Sequence, residues 1–447
     1  MAIGSQPKKL GEFVDRFISS PVDIASLAAF RFLFGAMMAA AMIRFLAKGW
    51  VTQFYVTPKY YFSYPGFEWV HPWPNPWMHV HFILLTVLAV GIALGCFYRL
   101  CAALFFLGFT YVELIDQTNY LNHYYLISLL SGLLIFLPAH HAWSVDAWRK
   151  PALRLDTVPA WTLNLLRFQI GIVYFFAGVA KLNADWLFHA QPLGIWLAAR
   201  SDLPVIGHWL GQHWVAYGAS WFGALFDLSI VFFLLWKRTR AIAYLAVVFF
   251  HVMTLLLFNI GMFPWVMMVA ATVFFAPDWA RRFLPAGNIQ HPIIPVAQTS
   301  RTQPALLLAL GIYAAIQLAL PLRSFFYTTP TGWSYAGFNC AWRVMIVEKT
   351  GYVEFNAFDP LSGRQWTIPT GNYLTPRQEA LMAQDPDLIH QMARHLATVL
   401  ESQGFRQIQI RADAFATLNG RPSQRLINPN VDLAARKPQG WIVPMVN

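Results

Sequence analysis

Residues 161–181 read WTLNLLRFQIGIVYFFAGVAK, and the chain continues LNADW to Trp186. About 20 consecutive apolar residues cross a bilayer core as a helix, so this stretch reads as a membrane span that carries one lysine, Lys181, to its end. Two readings compete for that lysine. Either it snorkels to the headgroups, where its charge costs little, or it stays buried, and an ionisable group inside a membrane marks a functional site.

Working outward, similar apolar runs recur along the chain. Nine spans are read, at 24–47, 79–95, 100–115, 121–138, 161–181, 217–236, 241–257, 261–276 and 304–321. With 57% hydrophobic and 12% charged residues over 447 positions, the composition departs from the roughly 45–50% apolar and 25% charged of soluble domains. The fold class is a polytopic α-helical membrane protein. Residues 1–20 lack a signal-like apolar core, so the first span is expected to remain as an anchor.

The formal net charge of +11 could suggest nucleic acid, but the cations lie mostly in short connections between spans, where they set topology. No nucleic-acid partner is expected. With the N-terminus inside, the inner segments hold Lys8, Lys9 and Arg16, then Arg99, then Arg149, Lys150 and Arg154, then Lys237, Arg238 and Arg240, then Arg281, Arg282 and Arg301. The outer loops offer Lys48, Lys59 and Arg200. This bias predicts a cytoplasmic N-terminus and an extracytoplasmic C-terminal tail. Three cysteines, Cys96, Cys101 and Cys340, are too few for a disulfide framework, and no essential disulfide is inferred.

From about Arg323 charge and turn residues rise, which divides the chain into a membrane domain, 1–322, and a strand-rich soluble domain, 323–447. Trp342–Ala357 and Gln407–Leu418 alternate like strands, Asn419-Gly420 is a hairpin signal, and Pro386–Gln403 has the spacing of one helix, with Leu388, Met392, Leu396 and Val399 on a face. Between the first two spans, 49–78 is long and aromatic, including Trp50, Tyr55, Tyr60, Tyr61, Trp69, Trp73 and Trp77. It reads as an interfacial belt or as a lid over an outward-facing cavity.

The charge-derived orientation sorts the polar groups by depth. Lys181 ends the fifth span on the outer side, Asn122 and His123 open the fourth there, Arg44 ends the first, and His251 falls in the outer half of the seventh, close to Asn259. These residues form one polar layer. Arg167, Tyr174 and Lys181 recur every seven residues and share a helix face, while Gly171 and Gly178 would admit a neighbouring helix or a ligand. Helix packing and function both account for that stripe. His79 and His81 have no nearby acidic or cysteine ligands, so no metal is expected. His140, His141, Trp143, Ser144 and Asp146 read as turn and capping residues. Neither a phosphate-cradling glycine loop nor a GxSxG nucleophile is present.

A resemblance covers nearly the whole chain. ASLAAFRFLFG (Ala25–Gly35), NHYYL (Asn122–Leu126), WSVD (Trp143–Asp146), FFAGVAKLNADW (Phe175–Trp186), FFHVMT (Phe249–Thr254) and FNIGMFPWVM (Phe258–Met267) occur in the order of vitamin K-dependent γ-carboxylases, which have an HTTM-type transmembrane domain. FNCAWRVM (Phe338–Met345) and NPNVDL (Asn428–Leu433) extend the likeness into the tail. The resemblance implies a bacterial-type homologue in an inner membrane. Its co-substrates would be vitamin K hydroquinone or menaquinol, O2 and CO2, and its partner a glutamate-bearing peptide or protein.

In that family, oxygenation of a hydroquinone to its epoxide drives removal of a glutamate γ-proton, and CO2 adds to the carbon. By resemblance, Lys181 matches the catalytic base, and Asn122 and His123 match polar residues at the reacting quinone. His251 matches a supporting histidine; Tyr174, Met262 and Phe263 join it as cofactor-binding candidates around an apolar slot. An amine removed from water favours its neutral, basic form, and Asn and His can stabilise developing negative charge. The rival readings are a quinol epoxidase without carboxylation and a non-enzymatic quinone-binding or transport protein. Two features depart from the family. Ala180 precedes Lys181 where animal members often carry a second lysine, and AAAMIRFLAKGW (Ala39–Trp50) lacks the acids that resembling enzymes carry there.

Overall fold

The computed structural model describes residues 17–283, 304–435 and 440–446; the topology signals at Lys8, Lys9, Arg16 and Arg301 lie outside them. Among the described residues, seven helices are long and apolar enough to cross a membrane. They are α1 (Ala25–Ala47), α2 (Trp77–Leu94), α3 (Tyr98–Ile115), α5 (Trp161–Ala180), α6 (His213–Leu235), α7 (Arg240–Leu257) and α9 (Pro304–Leu322). At the fourth and eighth expected spans lie shorter apolar helices, α4 (Asn122–Phe136) and α8 (Phe263–Ala271). At 1.5 Å per residue, α4 is shorter than a hydrocarbon core of about 30 Å, and its Leu126, Leu130 and Leu134 are buried among other helices.

Neighbours in sequence pack as antiparallel pairs, α1 on α2, α3 on α4 and α5 on α6, with α8 closing against α1 and α7. Small residues set the closest approach. A Cβ on Gly35 would stand 2.4 Å from the Ala93 backbone nitrogen, so α1 and α2 meet backbone to backbone as small-residue membrane interfaces do. On the side read as inner, Ser144 caps a short helix and Asp146 accepts from the Phe97 and Tyr98 amides at 2.9 Å, opening α3. The capping expected of this segment is thus met. Nearby, β1 (Pro21–Asp23) pairs with β2 (Thr157–Pro159), and Arg281 bonds Asp23 at 2.6 Å.

The tail carries a four-stranded antiparallel sheet in the order β4-β3-β5-β6, with β3 Gly351–Phe358, β4 Gln365–Ile368, β5 Gln409–Ala416 and β6 Gln424–Arg425. Along β5, Ile410, Ala412, Ala414 and Ala416 alternate inward and meet Leu388, Ile389, Met392 and Leu396 of α11 (Pro386–Ser402). A shorter helix, α10 (Pro376–Met382), opened by a Thr375–Gln378 capping box, accompanies the helix read from sequence. The strand expected from Trp342 starts later, at Gly351. Cys340, Trp342 and Met345 all have positive φ, which breaks strand geometry, and Trp342 packs on Tyr125 of α4 rather than on the sheet.

Several contacts join this domain to the loops read as outer. Lys59 donates to the Asn372 carbonyl, Gln378 to the Tyr60 carbonyl, and Arg421 grips Asp185 with two bonds of 2.7 and 2.8 Å. The 49–78 segment divides accordingly. Phe62 is buried with the tail core, Trp50, Phe54 and Tyr55 pack on the membrane core, and Trp69, Trp73 and Trp77 stay exposed. The three cysteines are free thiols.

Candidate active site

Lys181 follows the last residue of α5 as its C-cap, and it is 5% exposed. Its ammonium does not snorkel; Nζ lies 2.7 Å from Oδ2 of Asp227 on α6, donates to the Ala177 carbonyl at 3.3 Å, and stands 5.2 Å from the Trp186 ring centroid. The local sequence creates this meeting. A Cβ on Gly178 would fall 2.8 Å from the Leu228 backbone nitrogen, so the glycine lets α5 approach α6 one residue after Asp227. Gly171 makes a looser approach, its Cβ position 3.4 Å from Val231. Trp186 is fixed by donating to the Ser220 carbonyl at 2.7 Å.

Two turns back along α5, the Tyr174 hydroxyl and His251 Nε2 are 2.9 Å apart, both side chains buried, and His251 Nδ1 has no hydrogen-bond partner among the described residues. Lys181, Asp227, Tyr174 and His251 line one cavity of about 220 Å³, whose other walls are apolar, among them Phe222, Phe249, Phe263 and Met267. Phe222 and Phe249 are exposed on the outside of the bundle, so the cavity reaches the lipid-facing surface between α6 and α7. Arg167 takes a different course from the stripe it shares, bonding the Val273 and Phe275 carbonyls at 2.8 and 3.1 Å.

Asn122, His123 and Met262 line a second cavity of about 450 Å³, together with Arg44, Asn259 and Arg377. Phe263 separates the two cavities, its ring centroid 5.9 Å from that of His251 and 6.0 Å from that of His123. Ile260, Phe263, Val344 and Met345 line both. The last two come from the tail, whose entry is fixed by Asn122 donating to the Arg343 carbonyl at 3.3 Å and the Cys340 amide donating to the Tyr120 hydroxyl at 2.7 Å. The polar layer is therefore two adjoining chambers.

Sequence reasoning missed Asp227, Val344 and Met345. Asp227 could have been found by the rule that singled out Lys181, because it is the lone charged residue in the run 217–236. Nothing in their spacing marks Val344 and Met345. His79 and His81 bond separately to Thr52 and to the Gly108 carbonyl, and among the described residues no cluster of three or more His, Cys, Asp or Glu could hold a metal.

Fold and site together define a polytopic helical membrane protein with a lysine–carboxylate pair buried between spans and a strand-rich domain closing over it. Residues 19–279 match the HTTM domain, and residues 302–447 match the lumenal domain of vitamin K-dependent gamma-carboxylase. The chain belongs to the vitamin K-dependent γ-carboxylase family and is an integral membrane protein whose C-terminal domain is of that lumenal type. No solved structure matches it.

Proposed function

We propose that this protein is a hydroquinone-dependent γ-glutamyl carboxylase of a bacterial inner membrane, using vitamin K hydroquinone or menaquinol with O2 and CO2 on a glutamate-bearing peptide or protein. The observation that carries the proposal is the buried Lys181–Asp227 pair at 2.7 Å in a cavity that is otherwise largely apolar and reaches lipid. The cavity suits a quinone. At about 220 Å³ the cavity is smaller than the roughly 300–1,000 Å³ of drug-sized pockets, so it suits a ring system alone, and an isoprenoid tail would leave past Phe222 and Phe249. His251 Nδ1, buried and without a partner among the described residues, offers a hydrogen-bonding group to a ligand.

A bound hydroquinone supplies, with O2, a base stronger than any side chain, and CO2 adds to the carbon that it deprotonates. Moving one proton from Lys181 along the bond to Asp227 leaves a neutral amine beside a neutral acid, with no change in the pair's net charge. That amine then takes the hydroxyl proton, so the pair gains one positive charge beside the quinol anion it has formed. The hydrogen bond to Tyr174 fixes the His251 ring. Asn122 and His123 stabilise negative charge at the boundary between the chambers, and the apolar walls formed by Phe263, Val344 and Met345 exclude water.

Epoxide formation by purified protein, with reduced vitamin K or menaquinol, O2, labelled bicarbonate and a glutamate peptide, tests this reading. Lys181→Ala is expected to lower it at least ~100-fold, the range for losing a general base. Epoxide without label in the peptide would indicate an epoxidase, and no epoxide from folded wild type with either quinol would refute the enzyme.

A further inference from the structure

The second cavity has a charge imbalance that the quinone chemistry leaves unused. Arg44, from the end of α1, and Arg377, from α10 in the tail, both line it, and among the described residues no Asp or Glu does. Neither guanidinium forms an ion pair among the described residues. Of the acids at the end of α3, Asp116 accepts from Thr118 and Gln378, and Glu113 does not line the chamber. An unpaired cation inside a span is costly, and a concave basic site concentrates anions.

The two arginines are held in place by a common aromatic support. Arg44 Cζ lies 5.0 Å from the Trp50 ring, Arg377 Cζ 5.0 Å from the Phe54 ring, and those rings stack with centroids 6.1 Å apart. Cation–π contact of this kind orients a guanidinium without using its N–H groups; one N–H of Arg377, at Nη2, makes a long bond of 3.5 Å to the Thr118 carbonyl. One guanidinium belongs to the membrane domain and the other to the tail, so a ligand bridging them sits where the domains meet. Asn122 and Asn259 add neutral polar groups to the same wall.

We infer that Arg44 and Arg377 form the carboxylate-binding subsite for the glutamate side chain, with the quinone ring in the adjoining apolar chamber. The inference rests on the carboxylase reading. Guanidinium–carboxylate pairing is charge-assisted and can be bidentate, and carboxylation leaves two carboxylates on one carbon, so a second guanidinium meets the charge that the reaction adds. A lipid phosphate is favoured less, because the chamber extends past Asn122 and His123 to Phe263, deeper than a headgroup needs.

Binding without turnover tests the subsite separately from the chemistry. Equilibrium binding of a short peptide with one glutamate, and of the same peptide with glutamine, would be measured on wild type, Arg44→Gln, Arg377→Gln and Arg44→Lys. Wild type is expected to prefer glutamate by ~10-fold or more, as a hydrogen-bonded charge warrants, and the two glutamine variants by less than about twofold; Arg44→Lys should retain part of the preference. Arg377 is exposed on the tail helix, so its variant keeps the test decisive if Arg44→Gln fails to fold. An unchanged preference in Arg377→Gln, or loss of bicarbonate or anionic-lipid binding with peptide preference intact, would overturn the subsite. Failure of epoxide formation with the preference intact would instead refute the enzyme reading alone.

Discussion

Removing a carboxylate and an ammonium from water costs several kcal/mol per ion, so Lys181 and Asp227 hold their positions only as partners. Asp227 does not face the peptide in the proposed arrangement; it sets the position and protonation of Lys181. Asp227→Asn keeps the shape but cannot take the proton, and it is expected to lower kcat for epoxide formation by ~100-fold with the quinol KM changed less than about threefold. Asp227→Glu should recover part of the rate, which a loss of folding alone would not permit. Asp227→Leu strands the lysine and should cost about 3–5 kcal/mol, read as a fall in melting temperature. Lys181 was legible because it punctuates an apolar run, and Asp227 was equally legible as an isolated charge. That the two meet was not, since residues 46 positions apart in sequence touch only after α5 and α6 choose each other.

Helix approach is where a backbone detail sets the meeting of Lys181 and Asp227. Gly178→Ala would put a methyl 2.8 Å from the Leu228 nitrogen, pushing α6 and its Asp227 away from Lys181; a strain of about 1–3 kcal/mol and a large loss of epoxide are expected. Gly171→Ala meets only the Val231 side chain at 3.4 Å and should lose little in the same assay. In the tail, burial pushes the Lys349 amine down to about 7 and the Asp385 carboxyl up to about 7. Between pH 7 and the unfolded lysine value of about 10.4 the unfolded chain holds the extra proton, so stability rises with pH; between about 4 and 7 the folded chain holds Asp385's proton, so it falls. Melting of the tail, followed by the buried Trp333, is expected to be lowest near neutral pH, and Lys349→Met should remove the rise above it. The periodicity of Pro386–Gln403 located α11 within one residue. Alternation misplaced a strand at Trp342 because Trp342 and Ile346 are buried in clusters with the membrane domain rather than in the sheet, and positive φ at Cys340, Trp342 and Met345 breaks the strand geometry that the pattern implied.

The whole molecule has two faces that the charge bias separates, and the contacts group them the same way. Lys59 and Asp185 touch the tail, while Arg99, Arg149 and Lys150 gather around a cavity with His140 and Asp146. In intact cells, with the native cysteines replaced by serine, Lys59→Cys is expected to react with a membrane-impermeant thiol reagent and Arg149→Cys to react only after permeabilisation; the reverse pattern would invert the proposed orientation. By itself the sequence determined the membrane class, the strand-rich tail and the single residues worth watching, because hydropathy and periodicity are carried locally along the chain. Only the tertiary structure decided that Lys181 has an aspartate partner, that Phe263 parts the polar layer into two chambers, and that Val344 and Met345 wall both. Those facts depend on which helices pack face to face and where the tail re-enters, and close packing between segments distant in sequence leaves no periodic signal in either of them.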